Sequence, residues 1–258
     1  MYGVDPGMFA RAMSSRPLWA LGYPDRALAR ARETLALAQS QRQPLTHVFA
    51  LLVLHGILTY RGDASEAIAV GEASIALSRE HGLPQEVEWS RSFQGSVLMA
   101  LGRVDEGINL LKESLAVQER LDTHLARPMF LALLADGLRQ AERTGEGLQA
   151  VDEGFLWAER TSEGGYAAEL HRIRGELLRL SGDAAAAEES LHRAIACAAG
   201  QQAKSLELRA ATGLARLLQA SGRTPEARTV LAPVYDWFTE GHATLDLVAA
   251  KTLLMAME

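Results

Sequence analysis

Residues 98–115 read LMALGRVDEGINLLKESL, and four positions of this stretch recur along the chain every 40 residues. We call the glycine of this pattern the turn position. It is occupied in successive repeats by Gly22, Gly62, Gly102, Glu142, Gly182 and Gly222. Four residues earlier stand Leu18, Leu58, Leu98, Leu138, Leu178 and Leu218. Five residues later stand Ala27, Ala67, Gly107, Gly147, Ala187 and Ala227, and thirteen later Leu35, Ile75, Leu115, Phe155, Ile195 and Tyr235.

Each position of the repeat has a physical reason. A glycine ends a helix because it adopts a left-handed conformation without a Cβ clash. Signals for a new helix follow it: Asp63 with Glu66 has the spacing of a capping box, and Thr224-Pro225 is typical of an N-cap with proline at the next position. The small residue lets two helices approach, and the leucine fills the space between them. The repeat therefore predicts a helix, a tight turn and a second helix, stabilised by stacking on its neighbours.

This order of residues resembles the tetratricopeptide repeat (TPR), whose units usually span ~34 residues. The longer period implies longer helices, as in the TPR-like arrays of large bacterial signalling proteins. Further stretches are similar to the C-terminal region of bacterial class III adenylate/guanylate cyclases and related predicted ATPases: LGYPDRALA (21–29), AELHRIRGELL (168–178), SLELRAA (205–211) and LAPVYDWFTEG (231–241). In that family a helical-repeat region follows a cyclase domain and a nucleotide-binding ATPase domain. No binding residues carry over from it.

The resemblance implies an all-α fold, a right-handed α-α superhelix of about six helix-turn-helix units with a capping helix at the C-terminal end. We predict one TPR-like solenoid over residues 1–258. Its approximate units are 5–42, 44–82, 84–122, 124–162, 165–200 and 203–241, with the capping helix at 243–257.

Composition excludes several classes of function. The chain has 26 basic and 32 acidic residues, a net charge of −6, whereas sequence-independent nucleic-acid binding requires a basic surface. Cys197 is the only cysteine, so no intrachain disulfide can form, which fits a reducing cytoplasm. The longest apolar stretch, about residues 48–58, is far shorter than the ~20 residues of a spanning helix. The first six residues lack a signal-peptide pattern. We therefore predict a cytoplasmic protein without nucleic-acid or membrane partners.

No motif indicates catalysis, a cofactor or a metal. The nearest match to a phosphate-binding loop, AAGQQAKS at 198–205, has alanine at both required glycines. Glu189 and His192 have the spacing of a bundle metal site, but a second such motif is missing, and a solvated helix face is the better interpretation. His55 occupies a position that is small in other repeats, which predicts a hydrogen-bonded core histidine, with a pocket-lining role as the alternative.

In TPR arrays the first helices of the units line a concave groove, which the resemblance implies here as well. Residues 13, 6, 3 and 2 before the turn position are then expected to face this groove. Together with neighbouring positions, they give the candidate partner-binding residues Phe9, Trp19, Phe49, Trp89, Met99, Met129, Arg139, Arg172, Glu176, Arg179, Arg209 and Arg216. The N-terminal half would be aromatic and the C-terminal half rich in arginine. Alternatively, the aromatic residues pack between the helices as core.

These observations favour a non-catalytic scaffold that binds a protein or peptide segment with apolar and acidic groups, as the regulatory or interaction module of a bacterial signalling protein. Two alternatives stay open. The first is a small-molecule sensor domain of a bacterial regulator, which needs a closed pocket with convergent polar groups. The second is an oligomerisation module, for which a homodimer is the simplest form.

Overall fold

The computed structural model of the chain describes residues 6–40 and 43–258. The predicted lack of a signal-peptide pattern concerns residues 1–6, of which 1–5 lie outside the described residues. Both ends of the predicted unit 5–42 lie outside them as well. Within them the chain forms fourteen α-helices and a short 3₁₀ turn, and none of these residues lies in a β-strand. The all-α prediction is confirmed.

The helices follow the predicted repeat in pairs. The first helices of the six repeats are α1 (Pro6–Met13) with α2 (Ser15–Ala20), α4 (Pro44–Arg61), α6 (Pro84–Ala100), α8 (Arg127–Gln140), α10 (Ala167–Leu180) and α12 (Lys204–Ala220). The second helices are α3 (Pro24–Ser40), α5 (Ala64–Glu80), α7 (Val104–Arg120), α9 (Thr144–Thr161), α11 (Ala184–Gly200) and α13 (Thr224–Asp236). The 3₁₀ turn Gly164–Tyr166 precedes α10, and α14 (Leu245–Met255) lies where the capping helix is predicted.

The turn position behaves as the sequence predicts. Its glycines all have positive φ, between 77° at Gly222 and 92° at Gly22, and Glu142 adopts the same conformation with φ 56°. The N–H that follows each of them donates to the carbonyl of the repeated leucine, as from Asp63 to Leu58 at 3.0 Å. This hydrogen bond closes the helix end. Glu142 shows that the turn tolerates a side chain, at the energetic cost of a left-handed non-glycine residue.

The predicted capping box is wrong. The carboxylate of Asp63 makes no capping hydrogen bond to α5 and accepts one from Arg61 Nε at 2.7 Å instead. Its expected partner Glu66 pairs with Arg32 at 2.6 Å. Thr224 is the first residue of α13 rather than its N-cap. Nearby arginines compete with the backbone for these carboxylates because a charged donor forms the stronger hydrogen bond.

The two helices of a hairpin interlock by size. A Cβ atom placed on Gly95 of α6 would lie 3.1 Å from Leu111 of α7, and one on Gly175 of α10 would lie 2.7 Å from Leu191 of α11. The hairpin of α4 and α5 reverses this arrangement. There the first helix supplies the large residue, His55, and the second supplies the glycine, Gly71.

The chain groups into two compact lobes by its internal contacts. The N-terminal lobe contains the described residues up to 19 and those from 23 to 124, and the C-terminal lobe contains 20–22 and 125–258. Each lobe is a stack of helical hairpins with its own apolar core. That all six repeats form one continuous solenoid stays a prediction. No helix among the described residues combines the length and apolar character needed to cross a bilayer.

Candidate binding surfaces

The N-terminal lobe presents a stacked aromatic pair. The rings of Phe9 on α1 and Phe49 on α4 lie 5.0 Å apart between centroids with an interplanar angle of 21°. Phe9 is 45% exposed and Phe49 is half-buried. Both occupy the position 13 residues before the turn position, one repeat apart. Large aromatic side chains at the surface are the anchors that binding sites use most often.

Trp89 on α6 occupies the same position in the third repeat. It is half-buried, and its indole Nε1 is shielded from solvent without a hydrogen-bond partner among the described residues. A buried N–H without a partner costs free energy, so Trp89 is held in place at a local cost in stability. Phe9, Phe49 and Trp89 are thus the predicted aromatic residues that the structure leaves accessible or unsatisfied.

Three other candidates lie in the core. Trp19 is 6% exposed and stacks on Tyr60, with 4.5 Å between ring centroids. Met99 and Met129 are 3% and 5% exposed. For these three residues the alternative interpretation, packing between helices, describes the observed position. A ligand could contact little of their surface, although their predicted role in binding stays untested.

His55 is a buried histidine without hydrogen bonds. Its side chain is fully buried, and neither Nδ1 nor Nε2 has a partner among the described residues, which corrects the predicted hydrogen bond. The ring packs 5.6 Å from that of Phe93, between centroids, and against the bare backbone of Gly71. The Oε1 atom of Gln94, also beside Gly71, is equally unpaired. Burial lowers the pKa of His55 to about 3, so the ring is neutral near pH 7.

The buried ring predicts acid sensitivity of the N-terminal lobe. The folded state holds His55 neutral down to a pH of about 3, whereas the unfolded chain binds a proton below the ordinary value of 6.5. The free energy of unfolding therefore falls as the pH drops from 6.5 towards 3. We expect this residue to remove about 3 kcal/mol of stability between pH 7 and pH 4.

Urea unfolding of the wild type and of His55→Leu at pH 7 and pH 4 measures this loss of stability. The leucine variant is expected to lose about 3 kcal/mol less on acidification than the wild type. His81→Leu, at an exposed histidine of the same lobe, is the matched control and should follow the wild type. Equal losses for wild type and His55→Leu would contradict the assignment.

The C-terminal lobe carries a network of ion pairs on its first helices. Arg172 of α10 is 8% exposed and contacts three carboxylates: Glu169 Oε1 at 2.8 Å, Glu176 Oε1 at 2.8 Å and Asp136 Oδ1 of α8 at 3.3 Å. Such a guanidinium is held by geometry as well as charge, because its planar donors match carboxylates.

Two further arginines extend the network in both directions. Arg139 Nε lies 3.3 Å from Glu176 Oε2. Arg209 of α12 lies 3.3 Å from Glu169 Oε1 and 2.7 Å from Asp246 Oδ2 of α14. We define the ionic network as these three arginines and four acids: Asp136, Arg139, Glu169, Arg172, Glu176, Arg209 and Asp246.

The network lowers the pKa of two of its acids, Asp136 and Glu169. Burial by itself would raise the pKa of Asp136, but the charges of Arg139 and Arg172 hold it well below its usual range. The pKa of Glu169 is likewise lowered, because the charges of Arg172 and Arg209 outweigh burial. The predicted candidates Arg139, Arg172, Glu176 and Arg209 are therefore brought together. Their charges are already paired inside the lobe, so a ligand would have to compete for them.

Arg179 and Arg216 differ from the other candidate arginines. Both are exposed, and neither takes part in an ion pair within the described residues. Sequence reasoning missed Asp246 as a member of the ionic network. The signal that could have found it is its separation of 37 residues from Arg209, which is also the separation of Arg139 from Glu176.

The suspected metal motif has other contacts. Glu189 Oε1 pairs with Arg193 at 2.5 Å, and His192 Nε2 lies 3.8 Å from Glu188. Among the described residues no group of three or more histidine, cysteine or acidic side chains could hold a metal ion.

No protein-family model matches the sequence, and no curated protein sequence matches it either. Solved structures do. A Rap protein complexed with Competence and Sporulation Factor has a TM-score of 0.66 at 15% identity, over 99% of this chain and 67% of that one. NprR in complex with its cognate peptide NprX has a TM-score of 0.63 at 10% identity, over 99% and 79%.

The third structure is PH0952 from Pyrococcus horikoshii, a signal-transduction ATPase with numerous domains (STAND) that carries a tetratricopeptide repeat sensor. Its TM-score is 0.53 at 13% identity, over 97% of this chain and 38% of that one. The fold is a TPR-like helical repeat. At these identities the likeness shows the fold and nothing further, so the TPR part of the predicted resemblance is confirmed, and the link to cyclases is not.

Proposed function

We propose that this TPR-like chain is a non-catalytic module that binds a peptide or protein segment on the faces of its first helices, within a bacterial signalling protein. Two of the similar structures, the Rap protein and NprR, are complexes with a signalling factor or peptide. That likeness supports the proposal by analogy of fold. The residues on the first helices support it independently.

The exposed aromatic pair carries the proposal. A phenylalanine that stays 45% exposed while stacking on a second aromatic ring gives a ligand a preformed apolar contact. Trp89, at the same position in the next repeat, adds a half-buried aromatic surface. In the C-terminal lobe the first helices carry charge instead. The surface of the N-terminal lobe therefore suits apolar side chains of a bound segment, and the surface of the C-terminal lobe suits acidic groups.

Selection of peptides from a displayed random library against the full chain tests this function. We expect enriched peptides to lose at least about tenfold in affinity when Phe9→Ala or Trp89→Ala is introduced, because aromatic anchors supply most of the energy of such contacts. Leu37→Ala is the matched control, since Leu37 is an exposed apolar residue on the second helix α3 of the same lobe. It should leave binding unchanged.

Failure to enrich any peptide would reject the proposed function. Peptides that bind Phe9→Ala, Trp89→Ala and Leu37→Ala equally well would reject the assigned surface and leave peptide binding in place. Circular dichroism of each variant separates loss of binding from loss of fold.

We further propose that the module works beside cyclase and nucleotide-binding ATPase domains in the cytoplasm. The similar stretches at 168–178 and 231–241 support this context, as does the likeness to the repeat sensor of a STAND ATPase. The lone Cys197 is compatible with a reducing compartment. Sequencing the surrounding locus tests the proposal: a reading frame that is not continuous with cyclase or ATPase coding sequence would contradict it.

A further inference from the structure

Successive first helices of the C-terminal lobe contact each other at a fixed register. Between the fourth and fifth repeats, the residue three before the first turn position meets the residue six before the second. Arg139 Nε lies 3.3 Å from Glu176 Oε2 in this way, and Gln219 Nε2 lies 3.5 Å from the carbonyl oxygen of Ala256. Both pairs are 37 residues apart, and they flank a third pair with the same spacing.

That third pair is Arg179 and Arg216. Arg179 has the position in the fifth repeat that Arg139 has in the fourth. Arg216 has the position in the sixth repeat that Glu176 has in the fifth. A second contact confirms the register: a Cβ atom on Gly213 of α12 would lie 3.3 Å from Glu176 Oε1 of α10. One turn further along both helices come Arg216 and Arg179. Since first helices of successive repeats run in the same direction, these two arginines lie on neighbouring helices at the same level.

The repeat thus replaces an ion pair by two like charges. Both arginines are exposed and without an ion pair among the described residues, whereas Arg139 and Arg209 are paired. Glu176, three residues before Arg179 on α10, already contacts Arg139 and Arg172. Two adjacent guanidinium groups repel each other and are stabilised by any anion placed between them.

We propose that Arg179 and Arg216 form a binding site for an anionic oxygen group, a carboxylate or a phosphate, on a peptide that lies across α10 and α12. Paired arginines suit this chemistry because each presents a planar fork of donors to two oxygens. The net charge of −6 disfavours a nucleic acid as the source of the anion. This site rests on the proposed function and specifies what the C-terminal lobe recognises.

The experiment uses three fluorescein-labelled peptides of equal length with blocked ends, titrated into the full chain and followed by fluorescence anisotropy. One alternates serine and aspartate, one alternates serine and asparagine, and one alternates phosphoserine and asparagine. We expect the two anionic peptides to bind at least about tenfold more tightly than the neutral one. Whichever of the two binds more tightly identifies the group as carboxylate or phosphate.

Arg179→Gln and Arg216→Gln are each expected to weaken binding of the anionic peptides about tenfold. Arg193→Gln is the matched control, because it removes the same charge from an exposed arginine on the second helix α11. It should leave binding unchanged. Equal weakening by all three variants would show non-specific attraction and overturn the site, as would absence of binding to both anionic peptides.

Peptides enriched from the random library distinguish failure of the anion site from failure of the proposed function. If such peptides bind the wild type and Arg179→Gln equally, peptide binding stands and the anion site is rejected. If acidic peptides are enriched and their binding is lost in Arg179→Gln and Arg216→Gln, the results support both the proposed function and the anion site.

Discussion

Replacing Arg172 by methionine is expected to lower the free energy of unfolding of the C-terminal lobe by about 3–5 kcal/mol. Methionine fits the space of the buried stem but leaves Glu169, Glu176 and Asp136 without the guanidinium that all three contact. Removing one partner from a buried ion pair is costly because the remaining charge stays desolvated. Here a single substitution removes one of two arginine partners from each of three carboxylates, since Arg139 still contacts Asp136 and Glu176, and Arg209 still contacts Glu169.

Urea unfolding together with hydrogen exchange localises this loss. Amides of α8, α10 and α12 should exchange faster, while those of the N-terminal lobe should not change. Arg193→Met is the matched control, because the pair of Arg193 with Glu189 is exposed on both sides and should contribute less than about 1 kcal/mol. A loss below about 1 kcal/mol for Arg172→Met would contradict the role given to the network.

The same variant has a signature in its pH dependence. In the wild type the lowered pKa values of Asp136 and Glu169 contribute stability that is present above their unfolded values and lost as the pH falls through the folded ones. Without Arg172 these carboxyl groups protonate more readily in the folded state. The difference between wild type and variant should therefore shrink in acid. A difference that does not change with pH would point to lost packing instead.

Replacing Gly71 by leucine is expected to destabilise the N-terminal lobe by about 3 kcal/mol, because the site is already filled. A Cβ atom there would lie 2.3 Å from Gln94 Oε1 and 2.5 Å from His55 Cε1. Corresponding positions hold the opposite combination in other repeats, where Leu111 faces Gly95 and Leu191 faces Gly175.

The second substitution His55→Ala should restore much of that loss. The double variant has a small residue on α4 and a large one on α5, as the hairpins with Gly95 and Gly175 do, and it also removes the unsatisfied ring nitrogens. Urea unfolding of both single variants and the double variant measures the coupling, for which we expect about 2 kcal/mol. Additive losses would show that His55 and Gly71 do not share one space.

Much of the architecture could be predicted from the repeat because its signals are local. Gly62, or any other glycine at the turn position, ends a helix through its own backbone conformation, and Leu58 accepts the closing hydrogen bond four residues away. Competition between nearby groups for one carboxylate already limits such predictions. The capping box at Asp63 failed because Arg61, two residues away, holds the carboxylate. The break between α1 and α2 also has a local cause: Pro17 has no N–H to donate to Met13, four residues earlier, and its ring crowds that carbonyl.

The candidate surface could be predicted only as a set of positions. Periodicity placed Phe9, Trp19 and Phe49 on first helices, but not their exposure, which depends on neighbours from other repeats. Trp19 is buried under Tyr60, whereas Phe9 stays 45% exposed. Likewise the sequence grouped Arg139 and Arg179 as equivalent, although Arg139 pairs with Glu176 and Arg179 is exposed without an ion pair among the described residues.

The sequence by itself determined that this chain forms helices in pairs and where most of them end, because those outcomes depend on residues within one or two turns. Tertiary structure decided which charges are neutralised. Pairing between neighbouring helices joins residues 36 to 40 positions apart, so the identity of a distant residue sets whether an arginine is bound internally, as Arg139 is, or left exposed, as Arg179 is.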